Sequence, residues 1–165
     1  MRAGEQGATA GRYALVPRTV VFLRDGDNYL LIKGSPGKAL WPERYNGIGG
    51  HVERGEDIMS SARRELLEET GMDAPLWLCG TVIVDAGHTG IGLYVFTGKA
   101  SPQSPRPSVE GTVEWISYEK ITSLPTVDDV PKLVARIHRM TRGDPPFSAR
   151  SYYDAYGKLE IEFVD

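Results

Sequence analysis

Apolar residues fall mainly in short runs along this chain, and only two stretches repeat them at helical spacing. The run "TVVFLRDGDNYLLIK" (19–33) reads as two strands around a "DGDN" turn, because Gly and Asn accept the positive φ of a tight hairpin. "PLWLCGTVIVD" and "IGLYVFTGK" read as long strands, "VEWIS" as a short one, and "ARSYYDAYGKLEIEF" as a final hairpin turning near "YGK". Residues 57–70 place Ile58, Met59, Ala62 and Leu66 on one helical face, with Gly71 as the C-terminal cap. A second helix, within "TVDDVPKLVARIHRM", carries Val130, Leu133, Val134 and Ile137 at core spacing. Strands outnumber helices without alternating regularly with them, which predicts an α+β fold, a mixed sheet packed with helices.

Between these elements lie the Gly- and Pro-rich "GSPGKALWPER", the glycine-studded "YNGIGGHVERGE" and the polar "ASPQSPRPS". Residues 1–12, "MRAGEQGATAGR", are expected to form a flexible tail, and 13–165 a single domain. A composition of 41% hydrophobic and 25% charged residues fits a soluble globular protein. The net charge of −3 argues against a surface for nucleic-acid polymers, which favour a basic stripe. A small anionic substrate stays compatible with it if local cations or metal ions compensate.

Cys79 is the only cysteine, so no intramolecular disulfide forms, and its apolar setting points to core packing. No apolar run is long enough to span a membrane, and the start lacks the hydrophobic segment of a signal peptide. The cytoplasm is the expected location.

Candidate chemistry changes the picture at "RRELLEETG" (63–71). Glu65, Glu68 and Glu69 stand three and four residues apart, where like charges weaken a helix by a few tenths of a kcal/mol per pair. Glu65 and Glu69 fall at the edge of the apolar face, where desolvating a charge is expensive unless something pairs with it. Arg64 can pair with Glu68 across four residues, while Arg63 points elsewhere. Two readings stand for the helix alone: a solvated acidic face, or oxygen ligands for a hard divalent cation.

From Gly50 the chain reads "GHVERGEDIMSSARRELLEETGM": a glycine, five residues, Glu56, seven residues, then Arg64-Glu65-Leu66-x-Glu68-Glu69-x-Gly71-Met72. This resembles the signature of the Nudix hydrolases, with every specified position filled. The resemblance implies an α/β/α sandwich with a mixed central sheet and a loop-helix-loop in which Gly49 and Gly50 end a strand. It implies Mg²⁺, or Mn²⁺, held by the Gly49 carbonyl and the carboxylates of Glu65, Glu68 and Glu69. Arg64 would orient the glutamates. Glu56 would tie the loop to the helix, or act as an acid at the helix N-terminus. Glu110, five residues before Trp115, resembles a loop acid that ligates metal or helps activate water, with Glu114 as its competitor.

The implied reaction is hydrolysis of a nucleoside diphosphate linked to another group. A nucleoside triphosphate would give the monophosphate and pyrophosphate, with Glu65, Glu69 and Glu110 all open as general base. Ser60 and Ser61 are read as ordinary helix-surface residues. "RYNGIGGHVERGE" resembles the corresponding stretch of enzymes that destroy oxidised purine nucleotides such as 8-oxo-dGTP. There Asn46 would hydrogen-bond the base; locally it could simply support the turn into Gly47. Asp128 and Asp129 fall where an acidic pair reads the purine edge, and equally where a first helical turn favours acids. The tryptophan expected before that pair is missing, with Pro125-Thr126-Val127 in its place, which leaves Trp41 or Tyr45 as a stacking platform.

Lys33 is a candidate phosphate contact or a solvated strand end. His51, His88 and His138 need no special role. The resemblance covers residues 18 to about 120 and loosens beyond. Two alternatives remain: a pyrophosphatase for ADP-ribose, dinucleotides or nucleotide sugars, and a non-catalytic nucleotide-sensing module. "VDAGHTG" lacks the proline associated with the first, and the intact glutamates disfavour the second. The expected partner is a small nucleotide, with no nucleic-acid polymer and no membrane. The number of subunits stays open, as does whether "SYYDAYGKLEIEF" closes the base pocket or contacts a second subunit.

Overall fold

Along Ala14–Asp25 (β1), Val20 and Phe22 turn to one side and Val21 and Leu23 to the other, all of them buried. A strand buried on both faces needs cover on both, and that requirement sets the layers. They are seen in a computed structural model that describes residues 3–100 and 103–164. Met1 and Arg2 of the expected tail, Ser101 and Pro102 of the proline-rich connection, and Asp165 lie outside the described residues.

The elements after β1 are Asn28–Gly34 (β2), Tyr45–Asn46 (β3), Ile58–Thr70 (α1), Leu76–Val84 (β4) and Thr89–Lys99 (β5). They continue with Gly111–Ser117 (β6), Tyr118–Ile121 (α2), Val130–His138 (α3), Phe147–Tyr153 (β7) and Leu159–Val164 (β8). The sheet runs β3-β2-β1-β5-β4-β7-β8, with β6 also on β2. β1 pairs parallel with β5 and β4 with β7, while the other neighbours are antiparallel, so the sheet is mixed.

On one face, Ala62 and Leu66 of α1 pack with Val21, Leu23, Leu30 and Ile32. On the other, Val130, Leu133, Val134 and Ile137 of α3 pack with Val20, Phe22, Tyr29 and Leu31. This is the expected α/β/α sandwich, produced by the two-residue period of β1 and β2. Both predicted helices and both predicted hairpins form. Asp25 and Asn28 are partners at the β1–β2 turn, where Gly26 alone takes a positive φ, 56°.

Five local features depart from the reading of the sequence. β1 starts at Ala14, ahead of the predicted run, because Ala14–Arg18 pairs with Thr89–Leu93 of β5. Pro17 is a local breaking signal that this long-range ladder overrides. Tyr45–Asn46 forms a two-residue strand on β2, and Tyr118–Ile121 a single helical turn; both are too short to leave a periodicity. Ala3–Gln6, within the expected tail, forms a 3-10 turn. Finally, Ser61 is fully buried beneath α1, its hydroxyl directed at the His51 carbonyl (3.4 Å), and is not a surface residue.

Cys79 is buried, donates to the Val95 carbonyl and has its thiol pushed up to about 12 by burial, which matches a packing role. Among the described residues no helix is long and apolar enough to cross a membrane.

Leu66, fully buried between α1 and the sheet, tests this layering. Leu66→Ala is expected to cost roughly 2–5 kcal/mol and to lower the melting midpoint by roughly 5–15 °C. A thermal melt within 1–2 °C of the parent protein, about the shift from well under 1 kcal/mol, would contradict the packing of α1 described here.

Candidate active site

α1 is fixed at both ends before its acids come into play. Asp57 accepts from the Met59 and Ser60 amides at 2.9 Å, and Gly71, at φ 73°, closes the other end by donating to Leu67. With the N-terminal amides capped by Asp57, Glu56 is left for another partner. It accepts a two-pronged bond from Arg64, Nε at 2.6 Å and Nη2 at 3.0 Å, and a third from the Glu53 amide. The Arg64 guanidinium holds the Glu56 carboxyl down at about 2. These bonds join the loop residue Glu56 to Arg64 of the helix.

Arg64 reaches further. Nη1 donates to Glu65 at 2.8 Å and Glu68 at 3.2 Å, and Nη2 to the His51 carbonyl at 3.2 Å. Arg63 points away to pair with Asp73. The glycine segment lies alongside β1, with Thr19 N–H bonded to the Gly50 carbonyl at 2.9 Å and Val21 exchanging bonds with Ile48. A Cβ on Gly49 would stand 2.0 Å from the Thr19 carbonyl oxygen, and one on Gly50 would stand 2.4 Å from Glu65 Oε1. Glycine at these positions lets the chain close on β1 and leaves room for a carboxylate.

Glu69 is the buried acid, 8% exposed. Burial first, then the Glu65 and Glu110 charges, push its carboxyl up to about 8, while Lys38 and the Gly49 amide pull the other way. Its Oε2 is one of three buried side-chain polar atoms without a partner among the described residues; the others are Thr19 Oγ1 and Arg24 Nε. Such orphans call for a specific explanation. Glu110 pairs with Lys38 at 2.9 Å, whereas Glu114 accepts from the Tyr45 hydroxyl at 2.7 Å.

The carboxylates supply only oxygen donors, the preference of hard divalent cations, and the bare Glu69 Oε2 fits such an ion. Among the described residues no three acidic, His or Cys side chains converge tightly enough to chelate one as they stand. Glu65 and Glu68 are drawn to Arg64, and Glu110 to Lys38.

A cleft continues from Glu69 past Lys38, Trp41, Asn46 and Gly49 to Asp129 and Tyr153. Asn46 lines it while its Oδ1 accepts from the Gly47 amide at 2.8 Å. The side chain therefore supports the turn and also faces the cleft. Asp128 and Asp129 part company. Asp128 is exposed and pairs with Arg44 at 3.1 Å. Asp129 stands at the N-cap position of α3 but makes no side-chain cap bond, and burial pushes its carboxyl up to about 6.

Lys33 is not brought to this place. Ile32 and Gly34 line the cleft, and the two-residue strand period turns Lys33 the other way. The cations that do line it are Arg18, Lys38 and Arg44, which the sequence reading passed over. Arg18 lies with its guanidinium carbon 5.7 Å from the centre of the Trp41 ring and feels the Glu65 charge. Trp41 itself holds a positive φ of 51°, strained for a large side chain. Tyr45 is tied to Glu114, which leaves Trp41 as the aromatic wall. The C-terminal hairpin contributes Tyr153 and Leu159 to the same wall.

The NUDIX domain model matches residues 14–137. The oxidized purine nucleoside triphosphate hydrolase of Danio rerio is 35% identical over 81 residues, 47% of this chain and 52% of that protein. The Mus musculus protein of the same name is 29% identical over 87 residues, with the same coverage. The chain thus spans about half the length of the curated relatives it matches.

Among solved structures, a MutT protein from Bacillus halodurans superposes with a TM-score of 0.75 at 22% identity, covering 90% of this chain and 97% of that one. The NUDIX domain of Shewanella oneidensis NrtR, complexed with ADP ribose, gives 0.69 at 17%, covering 84% and 97%. With the family model spanning most of its length and the glutamate helix and glycine segment placed as described, this chain belongs to the NUDIX domain family.

Proposed function

We propose that the protein hydrolyses a nucleoside triphosphate to the monophosphate and pyrophosphate, and that it favours an oxidised purine such as 8-oxo-dGTP. One observation carries this reading: a buried carboxylate with a bare oxygen, Glu69, opens into the same cleft as Trp41, Asn46 and Asp129. The name of the Danio rerio relative supports the substrate class.

In this proposal the Gly49 carbonyl and Glu65, Glu68 and Glu69 hold Mg²⁺ or Mn²⁺, with Glu110 as a further ligand or water-orienting acid. Bound divalent ions offset charge on phosphate oxygens and make hydroxide available near neutral pH. Arg64 keeps Glu65 and Glu68 in place. Lys38 and Arg18 meet the phosphate chain, the part given to Lys33 on sequence grounds. One of the carboxylates of Glu65, Glu69 and Glu110 would take the proton from the attacking water. Gly50 and Gly71 serve the loop and the helix end.

At the other end of the cleft, Trp41 stacks on the base and Asn46 meets its edge. Unmodified guanine presents an acceptor at N7, whereas oxidation at C8 places a hydrogen there. A carboxylate at Asp129 then gains a hydrogen bond with the oxidised base and faces a lone pair in the normal one, so it both attracts and excludes. A second reading, cleavage of ADP-ribose, is favoured by the ADP ribose in the NrtR complex. A non-catalytic sensor is the third reading.

Chromatographic identification of the products, run over a nucleotide panel with Mg²⁺, separates them, because a nucleoside triphosphate would give its monophosphate and pyrophosphate whereas ADP-ribose would give AMP and ribose 5-phosphate. Turnover of 8-oxo-dGTP above dGTP is expected; activity on ADP-ribose alone, or silence throughout, would replace the proposal. Glu69→Gln is expected to reduce turnover at least about 100-fold with an unchanged circular dichroism spectrum. Near-full activity would remove Glu69 from the chemistry.

Asp129 also predicts a pH signature. Its folded pKa, about 6, lies above the ordinary 3.8, so the folded state holds the proton more tightly and stability falls as pH rises from about 4 to about 6. Asp129→Asn removes that loss. The variant should match the parent near pH 4 and exceed it by roughly 1–3 kcal/mol at pH 7.5, read from denaturant melts. Parallel stability profiles would contradict the raised pKa of this acid.

A further inference from the structure

Six residues along β1 from Arg18, about 20 Å at strand rise, Arg24 opens into a second cavity of about 480 Å³. Its lining includes Arg24, Lys99, His138, Arg139 and Arg142 and no acid. In a chain of net charge −3, five basic residues around one cavity are not background.

The arrangement is costly as it stands. Arg24 and Lys99 are direct partners in the parallel β1–β5 ladder, and like charges opposite one another destabilise a sheet. Arg24 Nε is buried without a hydrogen-bond partner, the third of the orphaned atoms noted above, although the guanidinium carbon lies 5.9 Å from the centre of the Tyr29 ring. Among the described residues Arg24, Lys99, Arg139 and Arg142 make no ion pair. Two carboxylates stand near the rim, each on a single residue of the lining. Asp27 faces His138 Nε2 at 3.9 Å, and Asp144 accepts from the Thr141 amide at 2.8 Å. The negative end of the α3 dipole accounts for Arg139, but not for two cations delivered side by side by strands.

The remaining walls are Trp77, which is half-buried, Pro75 and Met140, together with Thr97, Gly98 and Thr141. Cations beside a flat aromatic face suit a phosphate joined to a base. The confinement of the charge to one cavity favours a small ligand over a polymer, which needs an extended basic track. We propose that this cavity is a second nucleotide-binding site, separate from the catalytic cleft, with phosphate on Arg24, Lys99 and Arg142 and the base against Trp77.

The test is a titration of ¹⁵N-labelled full-length protein with ADP, in EDTA and at low salt, followed by amide and indole chemical shifts. Saturable shifts are expected at Gly98, Lys99, Thr141 and Arg142 and at the Trp77 indole N–H. The double variant Lys99→Gln/Arg142→Gln alters exposed side chains; it should melt at or above the parent temperature and bind at least about tenfold more weakly. Trp77→Leu should weaken ADP while leaving inorganic pyrophosphate unaffected. Shifts confined to Asn46–Gly50 and Asp129, or equal affinity in the double variant, would overturn the site. Retained ADP affinity in Trp77→Leu, or a stronger response to decathymidylate than to ADP at the same residues, would overturn the assignment of the ligand.

Discussion

Carboxylates crowd together only where cations stand among them, and Arg64 is the cation already in place. One guanidinium joins Glu56 on the loop, Glu65 and Glu68 on the helix and the carbonyl of His51 behind the glycine segment. A planar fork does this where a lysine ammonium would not, because its donors leave in fixed directions. Because Arg64 is spent on these partners, Glu69 is left to its own burial. The same constraint therefore orders three glutamates and leaves the fourth with a carboxyl raised to about 8 and one bare oxygen.

The glycine segment answers that geometry. Gly49 and Gly50 let the backbone close onto β1 at one side and onto Glu65 at the other, positions where any side chain would collide. The cleft is bounded on one flank by α1 and on the other by Asp129 at the start of α3, with β1 running between. β1 and the C-terminal end of α3 continue to the opposite side of the fold, where the charge changes sign around Arg24 and His138. A modest net charge conceals two strongly polarised regions.

Much of this was legible in the sequence where periodicity or spacing is local. The helix over 57–70, its Gly71 cap, the crowding of Glu65 and Glu69 toward the interior and the two hairpins all follow from neighbours in the chain. What escaped depends on distant partners. The first residues of β1 form a strand only because β5 lies beside them, and Ser61 is buried only because the His51 segment covers it. Lys38 sits in a Gly- and Pro-rich loop that carries no periodic signal, and only the fold brings it to Glu110 and Glu69. Lys33 looked suitable by type, yet a strand's alternation directs it away. Asp129 suited the first turn of a helix, and its place at the N-cap position without a side-chain cap bond is visible only in three dimensions.

The central claim is that the acids of α1 form a seat for divalent cations, which in turn grip a pyrophosphate. Titrating Mn²⁺ into the purified protein, with free ion followed by electron paramagnetic resonance and with or without a non-hydrolysable nucleotide, addresses it most directly. The account predicts saturable uptake that tightens with nucleotide and is sharply weakened in Glu65→Gln. No uptake in either condition, or equal uptake by the variant, would contradict it.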